Sequence, residues 1–341
     1  MKIVVDDKIP YIRETLERLA DEVVYRKGVD ISPEDVRGAD ALIVRTRTRC
    51  DERLLGGSGV KFVATATIGF DHIDAGYMRR AGIEWMSCPG CNAASVAQYL
   101  RSILLLLRRD RGARLEGMTL GLVGCGHVGS KVKAVAEGYG MRVMVCDPPR
   151  QERGDEGEFV SMADIEREAD VVTFHVPLAK DGPHPTFHLA DAAFFSRLAR
   201  RPLIVNTSRG AVVDNDALLD AIIYNKVCDA VVDTWEHEPL VNLGLLRRVW
   251  IGTPHIAGYS ADGKVNADNM VVEGLCRHFG LAVPPRIVPP PLPADFVPAD
   301  DDDALWLQLY NPLDDSARLK AAPGRFEELR GNYPLRREWY A

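Results

Sequence analysis

The sequence predicts an α/β protein with two doubly wound domains, each built on a parallel sheet, and a small C-terminal appendage. Short apolar runs of strand length alternate with amphipathic, helix-length segments up to about residue 280. This alternation favours βαβ units and therefore parallel strands. A proline-rich, acidic stretch from residue 284 to 303 then separates residues 305–341 from the rest, and we interpret it as a linker.

The N-terminal part contains three predicted strands and two predicted helices. The strands are Lys2–Val5, Asp40–Val44 and Lys61–Thr65. The first helix is predicted over Pro10–Ala20, and a long second helix begins after Asn92, a typical N-cap residue. Its apolar positions fall at helical spacing and basic residues follow at its end: Val96, Leu100, Ile103, Leu104, Leu107, Arg108 and Arg109.

The middle of the chain contains six predicted strands joined by helical segments, a pattern that indicates a doubly wound sheet. The strands are Thr119–Val123, Arg142–Cys146, Val171–Phe174, Leu203–Asn206, Ala230–Asp233 and Trp250–Gly252. A further helix is predicted over Lys264–Phe279.

The composition indicates a protein with ordinary hydrophobic cores. Hydrophobic residues make up 46% and charged residues 27% of the 341 residues, a length that suits two or three domains. The net charge of -7 argues against a nucleic-acid binder. No membrane segment is expected, because the apolar run Ile103–Leu107 is far too short to span a bilayer. No signal peptide is expected either, because the first apolar run ends at Asp6.

Two cysteines, Cys88 and Cys91, lie close enough in sequence to suggest a redox or zinc site. No second pair lies nearby to complete a zinc site, and no thioredoxin-like pattern surrounds them. We therefore interpret the pair as part of a loop in a protein of the reducing cytoplasm, and we expect no metal.

A glycine-rich segment follows the strand Thr119–Val123 and opens a helix. Its glycines are Gly124, Gly126 and Gly129, in the spacing of dinucleotide-binding proteins. Gly124 permits a tight turn, Gly126 lets the backbone approach a pyrophosphate, and Gly129 lets helix and strand pack closely. The free N–H groups at the helix N-terminus favour phosphate.

The next strand ends at Asp147, 18 residues after Gly129. A carboxylate at this place accepts hydrogen bonds from a ribose 2′-hydroxyl and repels a 2′-phosphate. The sequence therefore favours NAD over NADP.

Three segments near predicted strand ends carry an arginine, a carboxylate and a histidine: Arg209, Glu238 and His255. Oxidation of a secondary alcohol needs a base near pH 7, and histidine is the natural choice. A carboxylate beside it fixes the tautomer, and an arginine matches a substrate carboxylate. Each residue alone has an ordinary structural interpretation. Together, in a chain that also carries a dinucleotide-binding motif, they indicate a dehydrogenase.

These motifs resemble those of the D-2-hydroxyacid dehydrogenase family. The matching segments are the glycine motif, Asn206-Thr-Ser-Arg-Gly210 and Pro254-His-Ile-Ala-Gly258. The resemblance implies that Arg209, Glu238 and His255 form the catalytic set. It also implies a flavodoxin-like substrate domain (residues 1–93, completed by about 256–280), a Rossmann NAD domain (94–255), and a linker with a shortened dimerisation module (281–341).

The resemblance further implies the residues of both binding sites. The cofactor site for NAD would comprise the three glycines and Asp147 with His127, Val128, His175, Val176, Thr207, Ser208, Asp233 and Gly258. The substrate site would comprise Arg209 with Arg45, Thr46, Arg47, Thr67, Ile68, Gly69 and Tyr259. Arg45 and Arg47 are expected to bind a phosphate, because they face the same way if the chain stays extended. The alternative is an exposed, arginine-rich edge.

Within the family, the chain resembles a branch that acts on a small phosphorylated hydroxy acid as a homodimer. The segments Thr65–His72, Cys146–Pro149, Asn311–Asp314 and Arg336–Trp339 carry this resemblance. Gln98 stands where many relatives carry Glu, which we expect to alter the helix surface more than the chemistry. An alternative for Arg336 and Arg337 is that they reach across the dimer to the substrate.

Two other functions remain open from the sequence. One is the same chemistry on phosphoglycerate, glycerate or glyoxylate. The other is an NAD-sensing binding protein without turnover, because a fold alone does not settle function.

Overall fold

The computed structural model describes residues 1–338, so Trp339 of the C-terminal motif lies outside the described residues. The chain divides into two compact units. Unit 1 comprises Met1–Asn92 and Ser260–Phe296, and unit 2 comprises Ala93–Tyr259 with the chain from Val297 onward. Unit 1 is therefore discontinuous in sequence.

The strands and helices are numbered along the chain. The strands are β1 (Lys2–Asp6), β2 (Glu22–Arg26), β3 (Ala41–Val44), β4 (Phe62–Thr65), β5 (Glu84–Met86), β6 (Thr119–Val123), β7 (Arg142–Cys146), β8 (Val171–Phe174), β9 (Leu203–Asn206), β10 (Asp229–Val232) and β11 (Ile251–Gly252). The helices are α1 (Arg13–Leu19), α2 (Pro33–Val36), α3 (Glu52–Leu55), α4 (Ala75–Ala81), α5 (Ala93–Arg111), α6 (His127–Gly138), α7 (Pro148–Glu152), α8 (Met162–Glu168), α9 (Ala192–Arg197), α10 (Asn215–Ile223), α11 (Leu243–Leu246), α12 (Ala261–Phe279), α13 (Asp302–Leu309), α14 (Pro312–Ala321) and α15 (Phe326–Gly331).

Unit 1 is a parallel sheet in the order β2-β1-β3-β4-β5, which confirms the flavodoxin-like fold. Alternate side chains of β1 enter different cores. Ile3 and Val5 pack with α1 and α12, whereas Val4 packs with α2, α3 and α4. Both faces are thus covered, and this explains why the central strands are apolar throughout.

The prediction of three strands in this unit was incomplete, because β2 and β5 are also present. Both are edge strands, and their side chains are only partly buried. Their sequences, Glu22–Arg26 and Glu84–Met86, therefore lack the continuous apolar run that marks a central strand.

Unit 2 is a six-stranded parallel sheet in the order β11-β10-β9-β8-β6-β7, which confirms all six predicted strands. A single bridge joins Val145 of β7 to Phe159 beyond the sheet edge. Phe159 thus occupies the position of the third strand in the usual Rossmann order 3-2-1-4-5-6. The third strand is reduced here to one residue pair.

The predicted separate linker and appendage over residues 281–341 require correction. Residues up to Phe296 belong to unit 1, where the side chain of Asn269 on α12 exchanges two hydrogen bonds of 2.9 Å with the backbone of Ile287. From Val297 onward the chain belongs to unit 2, where Leu319 and Phe326 are buried in the core. These apolar residues make the segment an integral part of unit 2. None of the helices within residues 1–338 is both long and apolar enough to cross a membrane.

Candidate active site

The glycine loop of unit 2 connects β6 to the N-terminus of α6. Gly124 has φ +86, and a Cβ there would lie 2.7 Å from the His175 carbonyl oxygen. A Cβ on Gly129 would lie 2.2 Å from the Gly124 carbonyl oxygen. At Gly126, by contrast, a Cβ would meet no protein atom within 4 Å. The protein's own packing therefore requires two of the glycines, and the third leaves open space at the start of the helix, where a phosphate binds best.

Asp147 lies immediately after β7 and binds the glycine loop. Its carboxylate accepts hydrogen bonds from the backbone N–H of Cys125 at 2.8 Å and of Arg150 at 3.1 Å. Each carboxylate oxygen retains a further lone pair, so Asp147 can still accept a ribose hydroxyl. The neighbouring Arg150 guanidinium is bonded to the Cys125 carbonyl and to Asp155.

The loop after β9 is held by the side chain of Asn206, the first residue of the Asn206–Gly210 motif, to which the sequence had assigned no role of its own. Its oxygen accepts from the backbone N–H and the hydroxyl of Ser208, and its nitrogen donates to the Arg209 carbonyl. A Cβ on Gly210 would lie 1.9 Å from the Trp235 carbonyl, so this loop packs directly on the segment after β10. Thr207 carries a buried hydroxyl without a hydrogen-bond partner among residues 1–338. Because buried polar atoms are rarely unsatisfied, this hydroxyl marks a position suited to a ligand.

His255 and Glu238 form a close pair in unit 2. The Nδ1 atom of His255 lies 2.8 Å from Oε2 of Glu238, whose Oε1 accepts from the Trp235 N–H at 2.9 Å. Burial alone raises the pKa of Glu238, but His255 and the hydrogen bonds outweigh burial and lower the pKa. The carboxylate orients the imidazole, and Nε2 makes no hydrogen bond within the described part of the chain. This is the arrangement of a general base and its orienting carboxylate.

The turn that carries His255 is fixed by Asp233, which is 1% exposed. Its carboxylate accepts from the Thr253 hydroxyl at 2.6 Å and from the N–H groups of Ile256 and Ala257 at 2.7 and 3.0 Å. Burial raises the pKa of Asp233. The structure thus gives Asp233 a scaffolding task, and its predicted contact with the cofactor stays a prediction. The same applies to Gly258, which lies in the turn that follows.

His175 and Val176 follow β8 and lie beside the glycine loop, since the His175 carbonyl and the Val176 side chain are the nearest atoms to Gly124. The Nε2 atom of His175 lies 2.9 Å from the Thr173 hydroxyl. Burial lowers the pKa of His175 to about 3, which keeps this imidazole neutral.

The predicted anion-binding loop of unit 1, Thr67–Gly69, follows β4. The Thr67 hydroxyl lies 2.7 Å from the Thr65 hydroxyl and donates to the Gly69 carbonyl at 3.0 Å. Thr65 in turn contacts His72, a buried residue whose pKa burial lowers. The backbone N–H groups of Thr67, Ile68 and Gly69 have no acceptor within residues 1–338. The loop therefore has a fixed shape and three amides available to an anion.

The expectation that Arg45 and Arg47 face the same way is wrong in its premise. The strand β3 ends at Val44, and Thr46 and Arg47 lie in a turn. Arg45 donates two hydrogen bonds of 3.1 Å to the fully buried Asp6. Because the chain is not extended here, the alternation of side chains along a strand does not predict that Arg45 and Arg47 face the same way. Arg45 retains unused N–H groups on its Nη1 atom.

One group of three potential metal ligands occurs within residues 1–338: His188, Asp214 and Glu236. His188 Nε2 lies 2.8 Å from Glu236, and Glu236 also accepts from the backbone N–H of Asn215. These contacts tie the His188 loop to the segments on either side of it, so the group has a structural explanation without an ion.

Comparison with known proteins agrees with this geometry. Residues 98–257 match the family model described as D-isomer specific 2-hydroxyacid dehydrogenase, NAD binding domain. The chain is 54% identical over 338 residues to the erythronate-4-phosphate dehydrogenase of Bacteroides thetaiotaomicron, covering 99% of this chain and 97% of the relative. It is 43% identical over 350 residues to that of Edwardsiella ictaluri, covering 99% and 93%.

The chain belongs to the erythronate-4-phosphate dehydrogenase family. The family resemblance deduced from the sequence is thereby confirmed. Among solved structures, the NAD-bound 3-phosphoglycerate dehydrogenase of Entamoeba histolytica is similar, with a TM-score of 0.69, 28% identity, and coverage of 82% of this chain and 95% of that one.

As a member of the erythronate-4-phosphate dehydrogenase family, the protein is an NAD-dependent 2-hydroxyacid dehydrogenase, and the expected cofactor is confirmed. The residues of unit 2 fit this cofactor. The open space at Gly126, the carboxylate of Asp147 and the unsatisfied hydroxyl of Thr207 supply a phosphate position, a ribose acceptor and a buried polar contact.

Two arginines of the C-terminal segment contact Glu238 or the turn that carries His255, and sequence reasoning missed or misplaced both. Arg330 contacts Glu238 and Tyr259. No motif surrounds Arg330, so the sequence offered no signal for it. Arg336 is 8% exposed and donates to the carbonyls of Ile256 and Ala257 in its own chain. The alternative in which Arg336 reaches across a dimer is therefore wrong.

The expectation for Gln98 also requires correction. Gln98 is 4% exposed, and its side-chain oxygen accepts from Arg336. It lies inside unit 2 and not on the helix surface.

Proposed function

We propose that the protein oxidises 4-phospho-D-erythronate to (R)-3-hydroxy-2-oxo-4-phosphobutanoate with NAD, a step in pyridoxal 5′-phosphate (vitamin B6) biosynthesis. The observation that carries the proposal is the 2.8 Å pair of His255 and Glu238, in a chain with 54% identity over nearly its full length to an erythronate-4-phosphate dehydrogenase.

The chemistry assigns a task to each catalytic side chain. His255 takes the proton of the C2 hydroxyl on Nε2, because Nδ1 is bonded to Glu238. Glu238 stabilises the imidazolium that forms. Arg209 binds the substrate carboxylate and stabilises the oxygen on C2 as it becomes a carbonyl. When bound, NAD supplies the acceptor for the hydride that leaves C2.

Binding of the two anionic ends of the substrate is assigned to further residues. The Thr67–Gly69 amides would bind the carboxylate, a role supported by their lack of an acceptor within residues 1–338. Arg45, Thr46 and Arg47 are proposed for the phosphate. The hydroxyl of Tyr259, already held by Arg330, is proposed as an additional donor to the substrate.

We also propose that the protein works in the cytoplasm as a homodimer formed through its C-terminal segment. All seven cysteines are free, including Cys88 and Cys91, as suits a reducing compartment. Analytical ultracentrifugation of the full chain tests the dimer. The mass of two chains is expected, and the mass of one chain would contradict the proposal.

The test of the reaction is NADH formation by the purified protein with NAD and 4-phosphoerythronate, compared with 3-phosphoglycerate, glycerate and the reverse reaction on glyoxylate. A 2-oxo acid should be added in parallel, because tightly bound NADH can prevent turnover. Selective turnover of the four-carbon phosphate supports the proposal. Preference for another acid keeps the chemistry but overturns the substrate, and NAD binding without any turnover supports a sensor.

A further inference from the structure

Arg330 of α15 contacts two residues of the active-site region at once. Its Nη1 atom lies 3.7 Å from Oε2 of Glu238, the same oxygen that binds His255. Its Nε atom donates to the hydroxyl of Tyr259 at 3.2 Å. The side chains of Arg330 and Glu238 are only 19% and 17% exposed, so solvent screens their interaction weakly.

The position of the Arg330 guanidinium is fixed by the packing of α15 at one end of the side chain and by a hydrogen bond at the other. Phe326, at the start of α15, is 1% exposed in the core of unit 2, and Leu329 packs against the same core. The helix is therefore anchored on the turn that precedes Arg330. The hydrogen bond to Tyr259 then fixes the far end of the side chain. An ordinary surface arginine has no such double anchorage.

We propose that Arg330 is a positioning residue that limits the proton affinity of His255 by sharing the charge of Glu238. The proposal rests on the proposed function, because it assigns His255 as the base. Without Arg330, Glu238 would face His255 with its full negative charge and would stabilise the imidazolium too strongly. A base that is already protonated at neutral pH cannot accept the hydroxyl proton.

Among the described residues of unit 2, four charged side chains lie against His255 or its turn: Glu238, Asp233, Arg330 and Arg336, the last bonded to the Ile256 carbonyl. Glu238 contacts Nδ1, and Asp233 lies beneath the turn, where its carbonyl accepts the His255 N–H and its carboxylate accepts hydrogen bonds from the Ile256 and Ala257 N–H groups. Both are acidic and favour the imidazolium. Arg330 supplies the opposing positive charge next to this pair. Removal of the Arg330 charge should therefore favour the protonated form of His255.

The experiment compares Arg330→Gln, which removes the charge, with Arg330→Lys, which keeps it. Arg325→Gln is the matched control, since Arg325 adjoins the same helix but pairs with the exposed Glu328. The dependence of kcat/KM on pH is measured for each. For Arg330→Gln we expect the acidic limb to move upward by about one pH unit, with a loss of up to about tenfold on the acidic side of the limb that is recovered in alkaline buffer. Arg330→Lys and Arg325→Gln should keep the wild-type limb.

A second readout does not depend on turnover. NMR titration of ring-labelled histidines, with the His255 signal assigned by its loss in His255→Gln, should show the His255 transition at higher pH in Arg330→Gln. An equal loss at every pH with an unmoved limb, or a change in KM alone, would show that Arg330 acts through packing or substrate binding and would overturn the proposal. Absence of turnover in the wild type would instead count against the proposed function, and the NMR titration would still decide the role of Arg330.

Discussion

The guanidinium of Arg336 donates to the side-chain oxygen of Gln98 at 2.8 Å, and this buried contact joins the C-terminal segment to α5. The same guanidinium donates to the Ile256 carbonyl at 3.1 Å and to the Ala257 carbonyl at 2.6 Å. One side chain thus connects the segment, the long helix and the turn that carries His255. The C-terminal segment therefore supports the turn that carries His255 in its own chain.

Replacing Arg336 by Met should destabilise unit 2 by about 3 kcal/mol or more. The substitution keeps most of the volume but leaves the Ile256 and Ala257 carbonyls buried without donors, and each unsatisfied group costs about 1–3 kcal/mol. Chemical denaturation followed by circular dichroism measures the loss. Arg114→Met is the control, because Arg114 is 84% exposed and should change stability by less than about 0.5 kcal/mol. Equal, small losses of stability in both variants would show that the contacts of Arg336 do not stabilise unit 2.

Glu238→Gln should lower kcat by about a hundredfold and move the acidic limb of the pH profile to lower pH. The lowered pKa of Glu238 means that its carboxylate stays charged beside His255. Loss of that charge makes the imidazolium less stable, so His255 loses its proton at lower pH but accepts the substrate proton less readily. The predicted direction is opposite to that of Arg330→Gln. If the acidic limbs of the Glu238→Gln and Arg330→Gln profiles move in the same direction, Glu238 and Arg330 do not have opposite effects on His255.

The sequence predicted the fold and the motif-borne part of the site well, because those features depend on local pattern. The central strands are buried on both faces, and Gly124 and Gly129 are required by contacts with the residue after a neighbouring strand and within the loop itself. The edge strands β2 and β5 were missed because half-buried strands carry no such pattern. The tasks of Gln98 and Arg330 were missed for a different reason. Each depends on residues more than 70 positions away in sequence, and no spacing rule connects them.

Asp268 of α12 should make unit 1 less stable as the pH rises from about 4 to about 7. Asp268 is 1% exposed, and burial raises its pKa to about 7. Below pH 4 the carboxyl is protonated in both folded and unfolded chains. Between the two pKa values only the folded chain keeps the proton, so stability falls with rising pH, and above pH 7 the loss is complete.

Asp268→Asn removes this titration and keeps an oxygen for the Tyr11 N–H, which donates to Asp268 at 3.2 Å. The free energy of unfolding of Asp268→Asn should therefore rise relative to that of wild type as the pH increases. The upper bound on this difference is about 4 kcal/mol at pH 7. Asp295→Asn, at an exposed site in the same unit, serves as the control. A difference between Asp268→Asn and wild type that stays constant from pH 4 to pH 8 would show that Asp268 is not held protonated by the fold.

The backbone of His255 has φ +59, in the left-handed region that non-glycine residues avoid. The Pro254–Ala257 turn holds it there through the Asp233 hydrogen bonds, and the imidazole is thereby presented to Glu238. Strain of this kind persists only where the surrounding structure imposes it. We therefore expect His255→Gly to be more stable than His255→Ala by about 1 kcal/mol, although both lose the same side-chain contacts and both lose catalysis.

His184 provides the matched pair, because its φ is not positive and it also contacts a carboxylate, that of Glu152. At this site Ala should be the more stable replacement, by about 0.5–1 kcal/mol, because glycine loses more conformational freedom on folding. The free energies of unfolding of the four variants give the answer directly. If Gly is the more stable replacement for His255 and Ala the more stable replacement for His184, then the fold holds His255 in a strained conformation. The same sign at both would mean that the turn relaxes once the imidazole is removed, and that the side chain and its carboxylate partner, more than the Asp233 hydrogen bonds, impose the conformation.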